Sequence, residues 1–159
     1  MEAAKKRFCD WMEISEMKNI VETDCVKAVE LSCNENGTWR GQAVFFYQND
    51  DWTVFEDLSG GLSTIPAESW LVLARKDHFT FAGYNDAIPY GELIVIENGE
   101  ILREFLDIPD DPEANLNKGK LSIEEEQPIE SWLEVASFVD EDELAFSDTG
   151  WLCVNENTL

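Results

Sequence analysis

The side chains able to do chemistry are few in kind, and their spacing decides what they can do. There is one histidine, His78, behind the basic run Arg75-Lys76. A Ser/His/Asp or Cys/His enzyme would need it as its base. No G-x-S-x-G elbow accompanies it, so no triad can be built around it. A histidine at such a place reads as a helix-end or surface residue. The cysteines Cys9, Cys25, Cys33 and Cys153 show no C-x-x-C pair and no zinc spacing. They read as free, partly buried thiols of a cytosolic protein. Gly60-Gly61 lacks the Gly-Lys-Ser/Thr that would complete a phosphate loop. Carboxylates remain. Asp107, Asp110, Asp111 and Glu113 offer hard oxygen ligands in one loop, the kind calcium takes. The EF-hand order is missing, and Pro109 and Pro112 interrupt the loop. Hydrolysis of a sugar would need two acids at a set separation, and the sequence selects no pair. The expectation is a protein that is not an enzyme and takes no cofactor or metal. A calcium-binding or carboxylate-dependent module is the acid-based alternative.

The charge balance points to a different use of the acids. The 159 residues hold 34 Asp+Glu against 11 Lys+Arg, for a net charge of −23. Affinity for phosphate backbones needs clustered cations, so nucleic-acid binding is excluded. Docking on an anionic membrane is excluded for the same reason. Residues 1–47 carry 8 acids and 6 bases, while residues 104–148 alone carry 15 acids and 2 bases. Three clusters make up most of that density. They are Asp107/Asp110/Asp111/Glu113, Glu124-Glu125-Glu126 and Asp140-Glu141-Asp142-Glu143. Such a surface speeds association with a cationic partner. Tyr84 and Tyr90, in the aromatic segment Gly83–Gly91, add anchors of the type enriched at binding hot spots, and Asp86 lies between them. These residues form the expected partner-binding set, and the partner is a protein with a basic surface.

The rest of the chain must position that set. Six Trp and nine Phe argue for an ordered core rather than an acidic disordered chain, and the length suits a single domain over residues 1–159. The start, Met1 to Arg7, leads into no apolar run of signal-peptide length, which predicts a cytoplasmic location. Residues 2–22 show helical spacing of Phe8, Trp11, Met12, Ile14, Met17 and Val21. Val26–Leu31, the Asn36-Gly37 turn, Trp39–Tyr47 and Trp52–Glu56 read as an antiparallel meander. Helices are expected at 66–76 and 128–138. Glu92–Glu97 and Glu100–Leu106 flank Asn98-Gly99, a strong hairpin signal. Leu93-Ile-Val-Ile96 reads as a strand buried on both faces. Short strands are expected at 79–81, 121–123, 144–146 and 151–154, with a loop at 107–119 between them.

One pattern recurs. Pro66-Ala-Glu-Ser-Trp-Leu-Val-Leu-Ala74 and Pro128-Ile-Glu-Ser-Trp-Leu-Glu-Val-Ala136 share P-x-E-S-W-L-x-x-A. It implies an internal loop–helix–strand duplication, in units of about 58–82 and 117–147, with Trp70 and Trp132 in equivalent core sites. The fold class is α+β. An antiparallel or mixed sheet of about seven to nine strands should carry two or three packed helices.

Three segments carry a likeness to known proteins: Trp52–Gly61, Gly83–Gly91 and the turn Ile96–Glu100. Over residues 39–154 the chain resembles the small acidic immunity proteins of bacterial polymorphic and contact-dependent toxin systems. The resemblance is one of class and assigns no residue a role. It implies a cytosolic inhibitor that binds and blocks a cognate toxin domain. Many such toxins are nucleases with basic substrate clefts, which an acidic inhibitor would cover. The alternative is an acidic housekeeping or adaptor domain whose charge only maintains solubility.

Overall fold

The computed structural model describes residues 2–12, 20–140 and 149–156, with residues 137–140 described by backbone alone. The class is α+β, with two antiparallel four-stranded sheets in place of a single larger one. The chain forms two compact units, one of residues 1–62 and 144–159, the other of residues 63–143.

The first unit contains α1 (Glu2–Trp11), β1 (Ile20–Asp24), α2 (Cys25–Ser32), β2 (Gln42–Asn49), β3 (Trp52–Asp57) and β8 (Thr149–Asn155). Its sheet runs β1-β8-β2-β3, antiparallel throughout. The period of two assigns the layers. Ala43, Phe45, Tyr47, Leu152 and Val154 pack with Cys25 and Ala28 of α2 on one face. On the other face Phe8 of α1 stacks on Phe55, with ring centroids 4.6 Å apart, and Phe46 adjoins Phe55 and Trp151. Residues 43–47 are therefore all buried.

Segment 26–31, expected as a strand, is helix α2. Asp24 caps it, its Oδ1 accepting from the Lys27 amide at 2.8 Å, and Cys25, Ala28 and Ser32 form the buried stripe. Val26, Val29 and Leu31, part of the apolar pattern that suggested a strand, lie exposed on its other side. The Asn36-Gly37 turn forms, with Gly37 at φ +75°, yet it closes only the isolated bridge Cys33–Trp39 directly after α2. Of the helical pattern expected over 2–22, α1 takes Glu2–Trp11 and Ile20 and Val21 belong to β1, while residues 13–19 lie outside the described residues.

The second unit contains α3 (Ala67–Ala74), β4 (Phe79–Asn85), β5 (Tyr90–Glu97), β6 (Glu100–Asp107), β7 (Leu116–Gly119) and α4 (Trp132–Asp140). Its sheet is a meander, β4-β5-β6-β7. The Asn98-Gly99 hairpin forms as expected, with both residues at positive φ as a tight two-residue turn demands. Leu93, Val95 and Phe105 pack under Ile129 and Val135 of the α4 side. On the opposite face Trp70 of α3 stacks on Phe79 and Phe81 at 5.2 and 4.9 Å. The run Leu93–Ile96 is buried from both faces, as its lack of alternation predicts.

The two P-x-E-S-W-L-x-x-A segments do not take equivalent places. α3 starts one residue after Pro66, and Trp70 is 1% exposed. α4 starts four residues after Pro128, so Trp132 is its first residue and only half-buried. The copies also differ in side-chain bonding near the start of the helix. Glu134 stands where the first copy has Val72. It accepts from the Ser131 amide at 2.7 Å, while Ser131 Oγ accepts from the Leu133 amide at 3.3 Å. Glu134 thus supplies one arm of a capping box, and Ser131 Oγ takes the second helical amide in place of the third. Segment 121–123, expected as a strand, lies at the start of a 3-10 turn over Ser122–Glu125. The expected strand 144–146 lies outside the described residues.

Candidate functional site

The loop from β6 to β7 holds the first acidic cluster, and its shape is set by hydrogen bonds made within it. Asn115 Oδ1 accepts from the Ile108 amide at 2.7 Å and Asn115 Nδ2 donates to Asp107 Oδ1 at 3.0 Å. A 3-10 turn at Pro112–Ala114 stiffens the tip. Asp110, Asp111 and Glu113 are all exposed on this braced loop. Asp107 is different. Its Oδ2 accepts from the Trp132 amide at 2.9 Å, so it satisfies an open donor at the start of α4.

The second cluster splits the same way. Glu125 and Glu126 are exposed, but Glu124 is 4% exposed. It forms a two-pronged pair with Arg103, Nε to Oε1 at 2.8 Å and Nη2 to Oε2 at 3.1 Å. Arg103, 1% exposed, also donates to Asn117 Oδ1 and to the carbonyls of Lys118 and Ile129. Glu124 therefore leaves the expected partner-binding set, because a carboxylate held in the interior presents no charge to a partner. The bidentate match of guanidinium to carboxylate is what makes this burial tolerable. Of the third cluster, Asp140 ends α4, with no side chain described, and Glu141, Asp142 and Glu143 lie outside the described residues.

The aromatic segment divides too. Tyr84 and Asp86 are exposed near the β4–β5 turn. Asn85 Oδ1 holds that turn by accepting from the amides of Ala87 and Ile88, at 2.9 and 3.1 Å. Tyr90 points inward. Its hydroxyl donates to Glu92 Oε2, which also accepts from the Thr64 amide at 2.8 Å. Glu92 is 4% exposed, and burial pushes its carboxyl above the ordinary value. Burial, with the Glu92 charge beside it, pushes the Tyr90 hydroxyl up as well. Sequence reasoning missed Glu92 and Arg103. The available signals were an acid heading the apolar run Glu92–Ile96, and a lone base between Lys76 and Lys118.

A shallow cleft of about 150 Å³ lies beside the braced loop. Phe105, Leu106 and Leu116 supply apolar lining, and Asp107, Asn115 and Glu130 supply polar groups. Among the described residues no three His, Cys, Asp or Glu side chains are grouped to hold a metal ion. No helix among them is long and apolar enough to cross a membrane. Comparison with protein-family models, with curated proteins and with solved structures finds no match.

Proposed function

We propose that this chain is a non-catalytic, acidic protein-binding domain, an immunity protein that binds a cognate toxin domain in the cytoplasm and blocks it. One observation supports the reading above the others. Asp110, Asp111, Glu113, Glu125 and Glu126 stand exposed on short turns of the second unit. The neighbouring acids Asp107 and Glu124 are spent on fixing those turns. Charge held on rigid supports loses little freedom on binding, so more of its attraction is kept as affinity. The cleft suits a Lys or Arg side chain, whose apolar stem would lie on Phe105 and Leu116 while its charged head meets Asp107 and Glu130. Tyr84 extends the surface as an aromatic anchor. Inhibition is steric and electrostatic: the acidic face covers a basic substrate cleft, such as that of a nuclease. Inhibition requires no bond to be made or broken by this protein.

Co-expression with the product of the adjacent gene tests the proposal. The expected result is a stable complex in which the partner's toxic activity is suppressed. Failure to bind or to protect, with both proteins folded, would leave only the solubility reading of the charge.

A further inference from the structure

A pair of thiols in the first unit has no part in the proposed interaction. α1 and β8 meet in register there. Lys5 and Cys9 are four residues apart on the helix, a rise of about 6 Å. Trp151 and Cys153 are two apart on one face of the strand, a rise of about 6.7 Å. The helix and strand steps match, so the two pairs face each other. Lys5 Nζ lies 5.2 Å from the Trp151 ring centroid, which brings Cys9 and Cys153 to neighbouring places, near enough for each thiol to shift the other's ionisation. Both sulfurs are enclosed, Cys9 at 6% exposure and Cys153 at 2%. Lys5 is itself buried, at 8%, so a cation is held beside the pair with little water to screen it.

We propose that Cys9 and Cys153 are an oxidation site, closing to an intrachain disulfide between α1 and β8 when a peroxide is the oxidant. Cys9 is the attacking sulfur. Donation from the Cys153 thiol, against the cost of burial, and the charge of Lys5 bring its pKa down to about 7. Among the other charges acting on it, Asp10 opposes ionisation and Lys6 favours it. The Cys153 thiol is pushed up and keeps its proton. The Cys9 thiolate attacks one peroxide oxygen. A sulfur–oxygen bond forms, the oxygen–oxygen bond breaks, and hydroxide leaves to take up the proton that Cys9 had released. Cys153 sulfur then attacks the Cys9 sulfenic acid, with loss of its own proton. A sulfur–sulfur bond forms, the sulfur–oxygen bond breaks, and water departs. The two thiols are oxidised and one peroxide is reduced to two waters. The other cysteines serve as internal controls. Cys25 is buried with its thiol pushed up by burial and by Glu56, and Cys33 is half-buried.

The test uses the full chain with hydrogen peroxide, followed by acid quench, alkylation in denaturant and peptide mapping. The expected product is a Cys9–Cys153 linked peptide that dithiothreitol abolishes, with Cys25 still alkylated. In Cys153→Ser the reaction should stop at a Cys9 sulfenic acid trapped by dimedone, at a rate that rises about tenfold from pH 6 to pH 8. Recovery of Cys9 and Cys153 as separate alkylated thiols after peroxide would overturn the proposal. So would a Cys9 crosslink to Cys33, or Cys9 sulfinic acid with Cys153 still free. The wild-type mapping decides even where the serine variant does not fold.

Discussion

Single carboxylates in this chain differ more by setting than by sequence. Glu124, Glu125 and Glu126 are neighbours, yet one is the buried partner of Arg103 and two face water. Glu124→Ala leaves the Arg103 guanidinium enclosed without its countercharge, a loss of about 3–5 kcal/mol. Glu125→Gln and Glu126→Gln should each stay within about 0.5 kcal/mol of the parent. Urea denaturation of the three variants checks the contrast. Glu92 gives a second prediction, with a sign opposite to that of most acids. Burial raises its folded pKa above the ordinary 4.5, so the folded state holds this proton longer than the unfolded chain does. Its contribution to stability is fully present below about pH 4.5 and is lost as pH climbs through the higher folded value. Glu92→Gln mimics the protonated form. Relative to this variant, the parent should lose stability as pH rises across that window, measured by denaturation at several pH values. A difference curve that is flat, or that rises with pH, contradicts the assignment.

At the scale of elements, the start of α4 is tied by a bond pair that the first copy of the motif lacks, since Val72 stands there in place of Glu134. Ser131 donates to the Glu134 carboxylate through both its hydroxyl and its amide, and these bonds hold the Glu134 carboxyl below its ordinary value. Glu134→Ala should cost about 0.5–2 kcal/mol. Combined with Ser131→Ala it should cost less than the sum of the two, because both variants break the same reciprocal pair. Guanidinium denaturation of the four-member cycle measures this. Restoring additivity would mean that the two residues act separately. The β5–β6 hairpin was legible in Asn98-Gly99 because backbone requirements at a tight turn are local. The double burial of β5 was legible in an unbroken apolar run. α2 was not, since Val26, Val29 and Leu31 are exposed and carry the pattern that suggested a strand. Only the Asp24 cap and the small residues Cys25, Ala28 and Ser32 mark its buried side. The division of the acids between supporting and exposed roles could not be read at all. It depends on Asn115, Arg103 and the amide of Trp132, which reach Asp107 and Glu124 from up to 25 positions away.

For the whole molecule, charge is distributed by unit. Residues 63–143 carry 20 acids and 5 bases, and the remainder carries 14 and 6. Of the five bases, Arg103 is spent on Glu124 and Lys118 pairs with Glu104 at 2.8 Å. On the proposed function, a basic partner approaching the second unit meets an excess of negative charge. That field accelerates encounter by roughly 10–1000-fold at low salt and fades as the screening length shortens. The measurement that bears most directly on the proposed function is the association rate with the product of the adjacent gene, followed by stopped-flow from about 20 mM to 500 mM salt. The comparison chain is D110N/D111N/E113Q/E125Q/E126Q, which alters exposed residues alone. The account predicts a parental rate that falls steeply with salt, and a neutralised chain at least tenfold slower at low salt with unchanged stability. Equal rates for the two chains, independent of salt, would contradict an acidic surface built for binding.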